Sequence, residues 1–403
     1  MTSTKSQRQT VLEAIEAARQ IILEAGDTIH ANPEVGMEEH KAVELLTGII
    51  ASFGFEVERG VAEIETAFKA RKRGNGEGPR IAYIAEYDAL PGLGHGCGHN
   101  LLASSNLAAA IGLGAAVDEL GGEVLFIGTP AEESHGAKAP MIEAGVFRDV
   151  DIAMSSHHGG HVTFLPIRYP DGTCLAVSSR RFKFHGRTAH AAKDPETGIN
   201  ALNAVIQLFN GIDAMRQHVT PDVRMHGIIT DGGKAPNVVP DYAEAEFLFR
   251  AASRPAVDEL VSRAEKVALG AGMMTGAKLE IETPTPDYDD MLPNYTLSGL
   301  IRQQLDAIGL EETNRQPSSG PGAYSTDLGN VSRAMPTTSL TFAISETPIS
   351  GHTQDVVDAS ISELGRENAL RTGKALALAG VELLANPELA KTIRREFEEF
   401  RPA

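Results

Sequence analysis

A thiol and an imidazole lie two residues apart in a loop rich in glycine. Cys97 and His99 fall within the segment 92–102, which leads into an apolar helical pattern that runs from Leu101 to Val117. Both side chains bind divalent metals, and glycine lets the backbone approach an ion closely. Because a buried cysteine also serves as a small hydrophobic residue, this spacing indicates a metal site only if other segments supply further ligands.

Further ligand-type side chains follow predicted buried strands. The side chains and the strands before them are Glu132 and Glu133 after 124–127, His157 and His158 after 152–154, and His352 after 339–344. Open α/β sheets place their sites at the carboxyl ends of strands. Taken singly, the glutamate pair could be a solvated loop and His157 a histidine satisfied in the core. Together, these segments predict one metal site.

The predicted donors outnumber the ligands of one closed structural site. They are Cys97, His99, Glu133, His157 and His352, whereas a structural zinc site closes with four ligands. Five donors suit two metals that share a water molecule. Glu133 would then be a ligand and its neighbour Glu132 a general base. His157 is preferred to His158 on strand register alone.

Strands and helices alternate over the first part of the chain. Continuous apolar strands that alternate with helices predict a mostly parallel sheet covered on both faces. Earlier, strands at 56–70 and 80–85 flank a glycine-rich turn at 74–78 and read as a connected pair.

The pattern changes near residue 173. Alternating strands and amphipathic helices follow in the order β-α-β-β-α-β, which is a complete small domain. We therefore predict an α/β protein whose parallel-sheet domain, residues 1–173 and 286–403, is interrupted by an inserted domain at 174–285. The sheet pattern resumes at 337–344, and a long helix is predicted at 363–384.

Composition narrows the function. The 403 residues carry a formal net charge of −18, which argues against nucleic acid or anionic membranes as partners. We find no apolar stretch of membrane-spanning length and no signal-peptide core in the polar N-terminus. The sequence contains two cysteines, Cys97 and Cys174, and such low cysteine usage suits a reducing compartment. These features predict a cytoplasmic protein.

Several segments, in order, resemble one family. They are 86–91 (EYDALP), 94–100 (GHGCGHN), 128–133 (GTPAEE), 185–191 (HGRTAHA), 235–240 (APNVVP) and 325–332 (STDLGNVS). This set looks like the motifs of the co-catalytic metallopeptidases that include aminoacylases, carboxypeptidases and auxin-conjugate hydrolases. Within that family, the aminobenzoyl-glutamate hydrolase and β-alanyl-lysine dipeptidase branch is most similar. The resemblance extends from about His30 to Asp355.

The resemblance implies a hydrolase with two divalent ions, zinc before manganese or cobalt, and a homodimer formed through the inserted domain. It implies that Glu132 is the general base and that His190 reaches the partner's site to polarise the scissile carbonyl. Asn237 and Arg250 would contact substrate, Arg250 through a carboxylate. For Arg250 an ion pair with Glu246 on the same strand face is the alternative, and for His190 a solvent-exposed loop position.

Two questions stay open at this point. Many relatives start the first motif with a histidine, whereas this chain has Glu86, so a metal contact by Glu86 is undecided. The expected reaction is hydrolysis of the amide bond in an N-acyl amino acid or a small dipeptide with a free carboxylate. The alternative is a homologue that binds such ligands, or acts as a scaffold, without turnover.

Overall fold

The computed structural model describes residues 4–400 and consists of two compact units. The first unit comprises the chain up to Thr173, Met291–Gly322 and the chain from Asp327; the second comprises Cys174–Asp290 and Ala323–Thr326. The sequence had placed the return to the first unit at residue 286 and had not assigned 323–326 to the insertion.

The first unit begins with three helices and then alternates strands and helices. In chain order its elements before the insertion are α1 (Lys5–Ala17), α2 (Arg19–Ala31), α3 (His40–Ser52), β1 (Glu56–Arg59), β2 (Phe68–Arg73), β3 (Arg80–Ala85), α4 (His99–Leu120), β4 (Glu123–Gly128), α5 (Lys138–Glu143) and β5 (Ile152–His158).

The second unit has the predicted β-α-β-β-α-β order. Its elements are β6 (Ala176–His185), α6 (Ala201–Met215), β7 (Arg224–Asp231), β8 (Tyr242–Ala251), α7 (Arg254–Thr275) and β9 (Lys278–Glu282). The strands form an antiparallel sheet in the order β7-β8-β6-β9. Buried aromatic side chains of β6 and β8, such as Phe184 and Phe247, pack with apolar residues of α6 and α7 in a separate core. The alternation of buried and accessible residues along β8 is the pattern expected of a sheet with one covered face.

The chain then completes the first unit. The last elements are α8 (Tyr295–Arg302), α9 (Leu305–Ile308), α10 (Leu328–Ala334), β10 (Thr337–Phe342), α11 (Gln354–Ala359), α12 (Glu363–Ala385) and α13 (Pro387–Phe400).

The sheet of the first unit is mostly parallel, as predicted. Its strand order is β1-β2-β4-β3-β5-β10. Strands β4, β3, β5 and β10 are mutually parallel, whereas β1 and β2 run antiparallel at one edge. Every residue of β4 is buried, which explains its continuous apolar sequence, since a central parallel strand is covered on both faces. The carboxyl ends of the parallel strands therefore meet at one edge of the sheet.

The connected pair of strands expected at 56–85 is wrong in one respect. Strand β2 pairs with β4, and β3 lies on the other side of β4, so the glycine-rich turn at 74–78 does not join neighbouring strands. Gly74 and Gly122 share a backbone hydrogen bond of 2.9 Å, which holds this turn against the start of β4. Strand pairing here was decided by tertiary contacts that local alternation does not encode.

Helix α4 is the central helix of the first unit. It packs against α12, α1 and α2, and nearly all of its residues are buried. Contrary to the sequence expectation, it is long and apolar enough to cross a membrane, but 94% of that apolar window is buried inside the protein. Because a core helix meets the same criteria of length and composition, its apolarity is explained by packing.

Candidate metal centre

Three neighbouring strands deliver their following loops to the same place. Ala85 at the end of β3 is paired with Gly128 at the end of β4, and β5 lies on the other side of β3. The loop after β3 carries Glu86 and Asp88, and the loop after β4 carries the two adjacent glutamates. This edge of the sheet is where a site is expected.

The five predicted ligands and the predicted base come together there. Their donor atoms form overlapping groups in which all atoms lie within 4.8 Å of one another. The groups are Cys97, His99 and His157; Cys97, Glu133 and His352; and His99, Glu132 and Glu133. Cys97 thus belongs to two groups with different partners. One thiol, three imidazoles and a carboxylate are a donor set that divalent transition metals accept.

Asp88 fixes the orientation of His99. The Nδ1 atom of His99, the first residue of α4, lies 2.9 Å from Asp88 Oδ1. Its Nε2 atom is buried without a hydrogen-bond partner. A histidine that donates one ring N–H to a carboxylate and leaves the other nitrogen free has the arrangement of a metal ligand. This observation shows that the residues present fit a divalent ion.

Of the two adjacent histidines, the structure turns His157 toward the other donors. His157 Nε2 lies 3.5 Å from Cys97 Sγ, and its Nδ1 lies 2.9 Å from the carbonyl oxygen of His158. Among residues 4–400, His158 belongs to none of the donor groups. Its ring packs on Gly98, where φ is +65° and an added Cβ would lie 3.0 Å from His158 Cδ2. The position of His158 thus requires a glycine next to Cys97.

His352 reaches the site from the loop after β10. Its backbone N–H donates to the carbonyl of Gly96 at 2.9 Å, which ties it to the loop that carries Cys97. Its Nε2 lies 3.2 Å from Glu133 Oε1. Its φ of +60° is uncommon for a residue other than glycine. The side chain is 56% exposed, so it forms the accessible wall of the centre.

The loop after β4 directs two consecutive carboxylates to one side. Ala131 adopts a φ of +60°, and its carbonyl accepts backbone N–H groups from Ser134, His135 and Gly136. In an extended chain, Glu132 and Glu133 would point to opposite sides, whereas this turn brings both carboxylates close to His99. Removal from bulk water, together with the nearby charges of other carboxylates, raises the pKa of Glu132 well above its usual range.

Sequence reasoning missed a buried lysine beside these carboxylates. Lys138 is fully buried at the start of α5 and lies 2.8 Å from Glu86 and 2.5 Å from Asp327. Burial alone would lower the pKa of Lys138, but the two carboxylates outweigh it and raise that pKa. Glu86 Oε2 is 3.5 Å from His99 Nε2. Glu86 therefore serves as the partner of a buried cation, whereas the sequence had left open a metal contact.

Two other contributors were visible in the sequence without a role. Asp88 and Asp327 lie inside motifs quoted for the family resemblance, at strand or helix ends, but nothing in their spacing gave their partners. Lys138 carried no signal, because a lysine at the start of a short helix is ordinarily solvated.

His190 and Asn237 lie close together in the second unit. Both are exposed, and the backbone N–H of Ala191 donates to the Asn237 carbonyl at 3.1 Å. The Nδ1 atom of His190 accepts the backbone N–H groups of Ala192 and Lys193, each at 3.2 Å. This arrangement places the ring proton on Nε2, so that the exposed edge of the imidazole is a hydrogen-bond donor.

Arg250 is not paired with Glu246, the partner that the alternative interpretation required. Its Nη1 donates to Ser325 Oγ at 2.8 Å, and Glu246 instead binds Arg181 at 2.8 Å. No carboxylate in the described part of the chain forms an ion pair with Arg250, and burial lowers its pKa. A half-buried guanidinium without a counterion is able to bind an anionic group.

The chain is similar to known dipeptidases and amide hydrolases. It is 34% identical to Xaa-Arg dipeptidase of Mus musculus over 407 residues, which are 97% of this chain and 92% of that protein. It is 36% identical to a component of the p-aminobenzoyl-glutamate hydrolase of Escherichia coli (strain K12) over 324 residues, 75% of this chain and 66% of that protein. Residues 177–270 match the M20 peptidase dimerisation domain. The chain belongs to the M20 peptidase family.

Solved structures agree with this membership at the level of the fold. A dinuclear metal-binding peptidase from the M20 family of Bacillus subtilis has a TM-score of 0.62, 20% identity and coverage of 91% of this chain and 99% of its own. An aminobenzoyl-glutamate utilisation protein from Klebsiella pneumoniae has a TM-score of 0.68, again with 20% identity, covering 89% and 98%. The fold is an α/β domain interrupted by a dimerisation domain.

This M20 protein is a metal-dependent amidohydrolase that acts on acyl amino acids or dipeptides. The names of its relatives decide against the alternative of a binding protein without turnover. They also support use of a divalent metal, in accord with the donor groups around Cys97.

Proposed function

We propose that the protein hydrolyses the amide bond of a small dipeptide or N-acyl amino acid at a centre of two divalent ions. The observation that carries this proposal is the pair of donor groups that share Cys97, one with His99 and His157 and the other with Glu133 and His352. When bound, the ions would activate water and polarise the scissile carbonyl. The thiol favours zinc, and the imidazoles and carboxylate also suit manganese or cobalt.

Glu132 is the proposed general base. It lies in the same group as His99 and Glu133, and the environment that raises its pKa favours acceptance of a proton. It would take a proton from the attacking water and deliver it to the nitrogen of the leaving amine as the C–N bond breaks. The products are a carboxylate and a free amine.

Arg250 and Asn237 are the proposed substrate contacts of the second unit. The Arg250 guanidinium lacks an anionic partner in the described residues, which supports a bond to the substrate's free carboxylate. We further propose that the amino-acid side of the substrate is basic. The Mus musculus relative named for Xaa-Arg dipeptides matches along 97% of this chain, and a net charge of −18 favours the approach of a cationic substrate.

We propose a homodimer in which His190 of each chain serves the partner's site. Strand β7 is an edge of its sheet, and Ile228 and Ile229 on it are 65% and 44% exposed. An exposed apolar edge strand is suited to pairing with a second copy. The Nε2–H of His190 would donate to the scissile carbonyl oxygen.

We also propose that the protein works in the cytoplasm. Cys97 and Cys174 are both free, and a cysteine that serves as a metal ligand must stay reduced.

The test is release of free amine from a panel of N-acyl amino acids, aminobenzoyl-glutamate and dipeptides ending in arginine, lysine or glutamate. Wild-type protein is assayed with zinc, with manganese and with a chelator. We expect chelator-sensitive release, greatest for basic dipeptides. Preference for aminobenzoyl-glutamate would overturn the basic-substrate proposal, and no release by metal-loaded protein would overturn the proposed function.

Glu132→Gln is the matched variant for the proposed base. The amide keeps the size of the side chain but cannot accept the proton, so we expect turnover to be lost while the bound metal is unchanged. Substantial remaining activity would remove Glu132 from the mechanism.

A further inference from the structure

A third carboxylate, which has no place in the proposed mechanism, holds the turn that presents Glu132. Glu39 is fully buried, and its Oε1 accepts the backbone N–H of Ala131 at 2.8 Å. Ala131 is the residue with a φ of +60° directly before the proposed base. A non-glycine residue in this conformation is strained by about 1 kcal/mol or more and persists only when its surroundings impose it.

The backbone of Ala131 is bonded on both sides. Its carbonyl accepts three backbone N–H groups of the following residues, and its own N–H points out of the turn to Glu39. Because these bonds fix both adjoining peptide planes, they determine the direction in which the next side chain, Glu132, leaves the backbone. Without an acceptor, the buried N–H of Ala131 would favour a different turn.

A second, independent feature presses the same segment against the turn. A Cβ atom added to Gly36 would lie 2.8 Å from the Cα and Cβ atoms of Ala131, and closer still to Ser134 Oγ. Glycine at this position therefore permits backbone contact between the segment 36–39 and the turn. The segment is itself anchored, since the N–H of Ala89 donates to the Glu34 carbonyl at 2.8 Å.

No cation explains the burial of Glu39. In the described part of the chain no basic side chain pairs with it, and its neighbours in charge include Asp88. Burial, and then the charge of Asp88, raise the pKa of Glu39 to about 7. A buried carboxylate without a cation destabilises the protein, so its retention points to the hydrogen bond that it accepts.

We propose that Glu39 is a positioning residue for the reaction, which acts through the N–H of Ala131 to hold the turn that directs Glu132. This inference rests on the proposed role of Glu132. The N–H needs only an acceptor, so the charge of Glu39 is dispensable. Glu39 contacts neither substrate nor a reacting atom in this role.

The experiment compares three variants of the full-length, metal-loaded protein. Glu39→Ala removes the acceptor, Glu39→Gln keeps an acceptor oxygen without the charge, and Glu38→Ala changes an exposed neighbouring carboxylate. kcat and KM are measured on the best substrate of the panel, with bound metal determined by elemental analysis. We expect Glu39→Ala to lower kcat by about 10- to 100-fold with KM and metal content within about twofold of wild type. Glu39→Gln should stay within about threefold, and Glu38→Ala should match wild type.

A fourth variant serves if Glu39→Ala does not fold. Gly36→Ala leaves Glu39 in place but displaces the turn, and we expect it to lower kcat with unchanged metal content. Equal kcat in Glu39→Ala and wild type would overturn the inference, as would an equal loss in the Ala and Gln variants or a loss that follows the metal. If wild-type protein releases amine but Glu132→Gln is unimpaired, the proposed base is wrong and the failure lies there.

Discussion

Asp88 accepts the Nδ1–H of His99 at 2.9 Å and so leaves the buried Nε2 of that histidine free for a metal. The other oxygen of the Asp88 carboxylate accepts the backbone N–H of Glu133, also at 2.9 Å. One side chain therefore positions two of the proposed ligands, which come from different loops. This relationship makes Asp88 the first residue to test in the metal centre.

We expect Asp88→Ala to weaken metal binding by about 10- to 100-fold, because a partner that orients a metal-binding histidine has an effect of this size. The measurement is competition with a chromophoric chelator. Asp118→Ala, at an exposed position of α4, is the control and should bind metal as wild type does. Unchanged affinity in Asp88→Ala would show that His99 is oriented without it.

Lys138→Met should destabilise the first unit. The substitution leaves Glu86 and Asp327 as buried carboxylates without their cation, which costs about 3 to 5 kcal/mol. Denaturant unfolding measures the loss. Adding Glu86→Gln to Lys138→Met removes one of the two unpaired charges, so the double variant should be more stable than the single one. A double variant that is less stable would contradict the assigned pairing.

The ion pair of Asp171 and Arg315 predicts a dependence of stability on pH. Asp171 is buried and accepts both Nη atoms of Arg315, at 2.9 and 3.0 Å. Despite burial, the bonds from Arg315, Ser318 and Ile167 lower the pKa of Asp171. A carboxyl whose pKa is lower in the folded state stabilises above its unfolded pKa, about 3.9, and that contribution is lost as the pH falls through the folded pKa.

Asp171→Ala should therefore lower the free energy of unfolding by about 3 kcal/mol at neutral pH. We expect this difference from wild type to be constant between about pH 6 and 8 and to shrink below about pH 4. Urea titrations across this range measure it. A difference that grows in acid would contradict the direction of the pKa change.

Mixed dimers test whether His190 acts across the subunit boundary. Glu132→Gln chains and His190→Ala chains are each expected to form inactive or weak homodimers. In a mixed dimer, one site combines the intact Glu132 of one chain with the intact His190 of the other. Random pairing of equal amounts should restore about a quarter of wild-type sites. Absence of recovery in verified mixed dimers would show that His190 acts within its own chain.

Disruption of the β7 edge tests the dimer itself. Ile228 is 65% exposed, and Ile228→Asp would place a charge in an interface formed along this strand. We expect a monomer by light scattering, with activity lost if His190 acts in trans. A dimer that persists would place the interface elsewhere.

The amino-acid sequence by itself determined the order of the elements and which residues gather at the centre. Apolar strands such as β4, alternation along β8 and ligand-type residues after strand ends are local patterns, and parallel strands bring their carboxyl ends together. For this reason the donors near Cys97 could be predicted before the fold was known.

Only the tertiary structure decided how those residues are held. The pairing of β2 with β4, the buried ion pairs of Lys138, and the bonds of Asp88 and Glu39 to the loop after β4 all join residues far apart in sequence. Such contacts leave no period or spacing along the chain, because each depends on burial and distance created by folding. The physical reason is that a hydrogen-bond partner is chosen by proximity in the folded core, which a local pattern does not specify.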